Sequence, residues 1–283
     1  MSQLQDLARI LTSAAVDLNP TEGMSLLHIS GNTLVSKKWT SGTYGEEELI
    51  ASDARADAPA AAFFTTPDKR IVVYVSSSSL IRAVQFDKDE EEWNEVEPLP
   101  HLEVLQNGQV AAGVDRNGQM GVFYQDSLGD LVYLDDKWNP SVLPPVSIKA
   151  GSPLATLFVG DDLSVAFVSK NGGIHTLTRD NKGVWLEKEL TQQLMVDGII
   201  RFMPVPAEGN VVYVLTDKRT MYKISGKGVT AEEMGYVDDS GTYVAKTSAE
   251  SVFAVGYSSC FPNWKRRPDG TWYIEPLPPW LVA

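Results

Sequence analysis

The chain has 283 residues, of which 43% are hydrophobic and 22% charged, and its formal net charge at pH 7 is −13. That is the composition of an ordinary globular protein. No apolar run approaches the roughly 20 residues of a membrane-spanning helix, and the deficit of Lys and Arg excludes the dense positive face that nucleic acid requires. The single cysteine, Cys260, cannot form an internal disulfide, the N-terminal residues lack a basic stretch ahead of an apolar one, and Pro20 blocks the glycosylation sequon at Asn19, so a cytoplasmic location is expected.

Taken in order, the chain repeats one pattern: a small-residue strand, an apolar strand, a turn, a third strand, and a loop leading to Trp or an equivalent. The second-strand cores are residues 25–29, 72–76, 121–125, 165–169, 211–215 and 251–255, whose first residues lie 47, 49, 44, 46 and 40 apart. A period of this length in all-β sequence marks propeller blades. The expected fold is therefore a single all-β, six-bladed propeller of four-stranded antiparallel blades, at about 1–48, 49–98, 99–146, 147–192, 193–237 and 238–283.

In blade one, Leu7, Ile10 and Leu11 would share one face of a helix, but the other copies place a strand there and a strand is expected. Blade two alternates Ile, Val and Tyr over RIVVYVSSSSLIRAVQF and continues into DKDEEEWNEVE. This acidic run lacks the glycine of a calcium loop and reads as a solvated hairpin. Blades three and four carry Leu-Gly-Asp and Asn-Gly-Gly turns, which supply the residues that tolerate positive φ in tight hairpins. Blade five has its fourth strand near Met234 and no Trp, and Pro262 restricts the third strand of blade six to an edge or bulge. Trp39, Trp93, Trp138, Trp185 and Trp272 recur at blade spacing, where packing between blades is their first role.

The segment VFYQDSLGDLVY in blade three resembles the strand–turn–strand signature of the fungal fucose-specific lectins, which are six-bladed propellers. In that family an Arg opens the second strand and a Glu follows it twelve positions later, closing the third strand. The resemblance implies that ligand sits between blades, with these two groups on sugar hydroxyls and an aromatic ring from the adjoining blade stacked on the sugar. This sequence departs from the pattern at every copy. Gly121 and Tyr133 occupy the two positions in blade three, Val72 and Ala83 in blade two, Val165 and Thr176 in blade four, and Val211 and Lys223 in blade five, with Ser36 and Lys265 near the Glu position in blades one and six.

No serine-nucleophile elbow, phosphate loop or dinucleotide fingerprint occurs, and His28, His101 and His175 lack metal-ligand spacing. No cofactor and no metal are expected. Tyr133, His175, Arg82 and Tyr222 are hydrogen-bond donors on or beside second and third strands, and Tyr124, Gln125, Trp138, Trp93 and Trp185 are candidate ligand contacts. Donors set in apolar walls can accelerate cyclisation by holding reacting parts in near-attack geometry and stabilising a carbonyl that gains charge. The chain is also similar to the lectin-like propellers among fungal biosynthetic enzymes, hetero-Diels-Alderases included. The expected function is an enzyme directing cyclisation or cycloaddition of an apolar polyketide- or terpenoid-like molecule, with a lectin of altered sugar specificity or a protein-interaction propeller as the alternatives, and no nucleic-acid or membrane partner.

Overall fold

The computed structural model describes residues 3–19, 23–40, 42–56, 61–66, 69–115, 118–159, 162–180, 182–192, 196–205, 211–225, 230–246, 264–266 and 272–274. After an N-terminal helix, α1 (Gln3–Thr12), the chain forms successive antiparallel meanders. Blade one is β1 (Ala15–Asn19), β2 (Gly23–Ser30), β3 (Thr33–Thr40) and β4 (Thr43–Ala51); blade two is β5 (Ala61–Thr66), β6 (Lys69–Val75), β7 (Ile81–Asp87) and β8 (Glu92–Glu95). Blade three is β9 (Val110–Val114), β10 (Met120–Gln125), β11 (Leu131–Leu134) and β12 (Pro140–Val142); blade four is β13 (Leu154–Val159), β14 (Asp162–Val168), β15 (Ile174–Arg179) and β16 (Trp185–Glu189). Blade five is β17 (Ile199–Val205), β18 (Val211–Thr216), β19 (Thr220–Ser225) and β20 (Thr230–Val237), with a short β21 (Tyr243–Ala245) beside β20. A two-stranded hairpin, β22 (Trp264–Arg266) and β23 (Trp272–Ile274), follows.

The fold is an all-β propeller of four-stranded antiparallel blades, and among the described residues there are five blades where the sequence period predicts six. The second-strand core expected at 251–255 and the irregular strand at Pro262 lie outside the described residues; of that last copy the hairpin is what is described. A second correction concerns residues 7–12, expected as a strand and found in α1. Leu4, Leu7, Ala8 and Leu11 follow the i, i+3, i+4, i+7 spacing, and that stripe buries against Met203, Val205, Val211, Tyr213 and Leu215 of blade five. The Gln5 side chain ties the helix to the strand edge, donating to the Gly241 carbonyl and accepting from the Tyr243 N–H.

The described residues fall into two compact units, one holding blades one to three and the hairpin, the other α1 with blades four and five. In the first unit, blade two is apolar on both faces. Val72, Tyr74 and Val84 join Leu27, Leu34 and Ile50 of blade one, while Ile71, Val73, Val75 and Ala83 join Val110, Val122, Tyr124 and Leu134 of blade three. Burial on two sides is why IVVYV reads as an unbroken apolar run rather than an alternation. In the second unit, Ala166, Val168 and Ile174 of blade four meet Phe202, Val212, Val214 and Ile224 of blade five. Each fully buried Val, Leu or Ile contributes about 1.5–3 kcal/mol, so these shared faces are what hold neighbouring blades together.

One turn recurs between second and third strands. Ser76, Asp126 and Ser169 each donate their N–H to the carbonyl four residues on, and the fourth residue of the turn has positive φ: Ser79 (60°), Gly129 (89°), Gly172 (86°) and, in blade five, Arg219 (60°). The QD-x-x-G likeness to the lectins is thus backbone chemistry, for Asp126 Oδ1 accepts the Leu128 and Asp130 N–H groups. The outer strands carry charge, as in Glu46, Glu47 and Glu48 of β4 and Glu187, Lys188 and Glu189 of β16, which protects free edges from pairing with other chains.

Candidate functional site

The recurring turn fixes which residues are equivalent between blades. Counted from it, Gly121 and Tyr133 correspond to Ile71 and Ala83 in blade two, Ser164 and Thr176 in blade four, and Val211 and Lys223 in blade five. Val72 and Val165, aligned with Gly121 from sequence, are one residue out of register and lie on the opposite face. An apolar run without alternation cannot set register, and a one-residue slip turns the side chain over. Ile71 and Ala83 are filled into the core between blades two and three, and Ser164 and Thr176 are buried. None of these eight positions in blades two to five holds Arg or Glu.

The three group types meet elsewhere, on the faces that blades one and two turn to each other. On the third and fourth strands of blade two, Phe86 pairs with Trp93, and the two rings lie 5.3 Å apart. The Arg70 guanidinium, from β6, stacks over both, 5.2 Å from the Phe86 centroid and 5.3 Å from that of Trp93. Trp93 Nε1–H donates to Glu48 Oε1 of blade one at 2.7 Å, and Glu48 is itself paired across the sheet with the buried Ser36. Trp93 is half-buried, packed on the core shared by blades one and two. A guanidinium, a carboxylate and two aromatic rings from two blades thus converge at one junction.

Further along the same face of blade two, the buried Tyr74 donates to Asp53 Oδ1 at 2.7 Å, and Arg82 pairs with it across the sheet. Burial, with the Asp53 hydrogen bond and the charges of Asp53 and Glu95, raises the Tyr74 phenol far above its ordinary value against the pull of Arg82. Arg82 is exposed.

The remaining candidates are distributed over blades three to five. Tyr133 is half-buried with its ring 5.2 Å from that of Phe123. Tyr124 is buried in the core between blades two and three, and burial, with the Asp126 charge, pushes its phenol up to about 12. Gln125 is buried and donates to the Gly129 carbonyl, bracing the turn. Trp138, at φ 64°, packs on the same core as Tyr124. Tyr222 packs on the core between blades four and five beside a bulge in β19, and Trp185 is half-buried on β16. Arg82, Tyr133, His175 and Tyr222 therefore sit one to each of four blades.

His175 belongs to a compact polar set. Its Nδ1 is 2.6 Å from Glu187 Oε1 and 3.3 Å from Ser147 Oγ, while the Ser147 hydroxyl donates to Glu187 Oε1 and its N–H to Oε2. Burial works to raise the Glu187 carboxyl, but the hydrogen bonds from Ser147 and His175 outweigh it and hold the group below its ordinary value. Serine activation requires the hydroxyl on the imidazole nitrogen opposite the one that meets the carboxylate. Here both partners meet Nδ1, and Nε2 is buried without a partner among the described residues, so the set clamps β15, β16 and the preceding loop rather than generating a nucleophile. Among the described residues no three His, Cys, Asp or Glu side chains cluster as metal ligands.

Of the residues at this junction, Trp93 is among the candidates that the sequence suggests, and Arg70, Glu48 and Phe86 are not. The signal that exposes Arg70 and Phe86 is symmetry about the turn, since they stand equally far from Ser76 and Leu80 on paired strands.

No family model matches the sequence and no curated protein is significantly similar to it. Solved structures do match in fold, and lectins are among them. A fucose-specific lectin from Aleuria aurantia superposes with a TM-score of 0.60 at 15% identity, covering 83% of this chain and 81% of that one. AofleA from Arthrobotrys oligospora gives 0.59 at 13% identity over 94% and 79%. The BP39L lectin from Burkholderia pseudomallei gives 0.55 at 16% identity over 81% and 71%.

Proposed function

We propose that this chain is a carbohydrate-binding propeller whose working site lies between blades one and two, at Glu48, Arg70, Phe86 and Trp93. The observation that carries the reading is the Trp93–Glu48 hydrogen bond beneath the stacked guanidinium, which gathers at one blade junction the group types with which lectins grip sugar. A carboxylate oriented by an indole N–H is an acceptor for hydroxyls, and guanidinium and ring edges supply donors and an apolar surface. The neighbours named above support a sugar-type ligand by fold, at identities too low to carry over their specificity.

A glycan array with the full chain, followed by titration of whatever sugar is retained, tests the reading. Glu48→Gln and Trp93→Ala are each expected to weaken binding by about 10-fold or more, the loss typical of a central contact. An array that stays silent at millimolar sugar would remove the proposal.

A second reading, an enzyme that directs cyclisation or hetero-Diels-Alder cycloaddition, draws its support from the apolar filling at the turn-equivalent clamp positions Ile71 and Ala83. It requires that the protein change the rate or the stereochemical outcome of a quinone-methide plus alkene reaction. With neither changed, the reading is lost.

A further inference from the structure

Arg70 sets a chemical requirement on the ligand that fold similarity does not. Its guanidinium lies over the Phe86 and Trp93 rings, and among the described residues it has neither hydrogen bond nor ion pair. That is not for want of acids, since the chain has 37 Asp and Glu against 24 Lys and Arg. The acid that shares the cluster, Glu48, receives the Trp93 indole N–H instead. Stacking occupies the faces of a guanidinium and leaves its in-plane N–H groups free, the fork geometry that matches a carboxylate with two parallel bonds.

From this we infer, building on the carbohydrate-binding reading, that the site takes an acidic sugar of the uronic acid type, with its carboxylate on Arg70 and a ring hydroxyl on Glu48. The two charged groups make opposite demands. Glu48 repels an anion that has no hydroxyl to offer it, and Arg70 is poorly used by a sugar without a carboxylate. One ligand with both groups satisfies each. The distribution of charge sharpens the requirement, because a chain of net charge −13 repels anions at long range and a local cation is needed to overcome that field.

Titration calorimetry on the full chain at pH 7 tests this with the methyl glycosides of glucuronic and galacturonic acid, the methyl ester of each, and sodium acetate as the anion without the ring. At least one acid is expected to bind about 10-fold or more tightly than its ester, with acetate far weaker than either. Arg70→Gln should erase the preference, so that acid and ester bind this variant equally, and Arg70→Lys should recover part of the difference. The acid–ester comparison uses the unaltered protein, so it stands even if a variant folds poorly. Equal binding of acid and ester, or acetate binding as tightly as the acid sugar, overturns the acidic-sugar assignment and leaves the carbohydrate reading in place. If the glycan array retains neutral sugars while none of these probes binds, the assignment is again overturned. Silence from both removes the carbohydrate reading as well.

Discussion

Two buried tyrosines on equivalent strands of neighbouring blades show how one side chain can serve different ends. Tyr74 and Tyr124 precede the recurring turn by the same number of residues, and both are 2% exposed. The Tyr74 hydroxyl is committed to Asp53 at 2.7 Å, whereas the Tyr124 hydroxyl has no hydrogen bond within the described protein. Tyr74→Phe should therefore lower stability by about 1.5–3 kcal/mol, the worth of a hydrogen bond to a charged group, while Tyr124→Phe should stay within about 0.5 kcal/mol. Urea midpoints with unchanged m-values would check both, and equal losses would contradict the difference. At this scale the sequence was partly legible. Trp93 announced itself by blade spacing, but Arg70 and Glu48 did not, because their roles depend on strand register and on a contact between blades 45 residues apart at Trp93 and Glu48.

The recurring elements follow from local pattern where that pattern is strong. Strand, turn and strand over residues 120–134 were plain from Gly129 and the flanking apolar strands, and the same turn in blades two and five was hidden because Ser79 and Arg219 adopt positive φ without being glycine. The N-terminal segment departs from the strand expected of its place in the repeat because its own 3.6-residue period prevails. Leu7 and Ala8 are fully buried, and Leu11 nearly so, against blade five. Leu7→Ala is accordingly expected to destabilise by about 2–5 kcal/mol, as for other buried leucines that leave a cavity. A helix that merely rested on the surface would lose less than about 1 kcal/mol, and thermal or chemical denaturation separates the two cases.

For the molecule as a whole, the blade count and the charge have different consequences. The period of the sequence located the second strands of all five described blades, yet it could not anticipate that helix α1 covers the face of blade five opposite blade four, since periodicity describes copies and not what packs on them. Stability against acid depends on groups whose protonation differs between folded and unfolded chain. His28 is one: burial first, and then the Lys37 charge, lower its pKa from 6.5 against the pull of Glu47, and its Nε2 is buried without a partner among the described residues. The unfolded chain thus takes up a proton near pH 6.5 that the folded chain resists, so stability is lost as pH falls below that value until the folded histidine titrates as well. Relief of the self-repulsion of a −13 chain works the other way, but it sets in mainly where carboxylates protonate. Between pH 7 and about 5.5 the His28 contribution is therefore separated from that of the carboxylates. The urea midpoint should fall across that interval, and in His28→Gln it should fall less. Below the ordinary carboxylate value of 4.5 both proteins should weaken together as Glu187, held low by Ser147 and His175 despite its burial, takes up its proton. A variant that retained the wild-type slope between pH 7 and about 5.5 would remove His28 as its source.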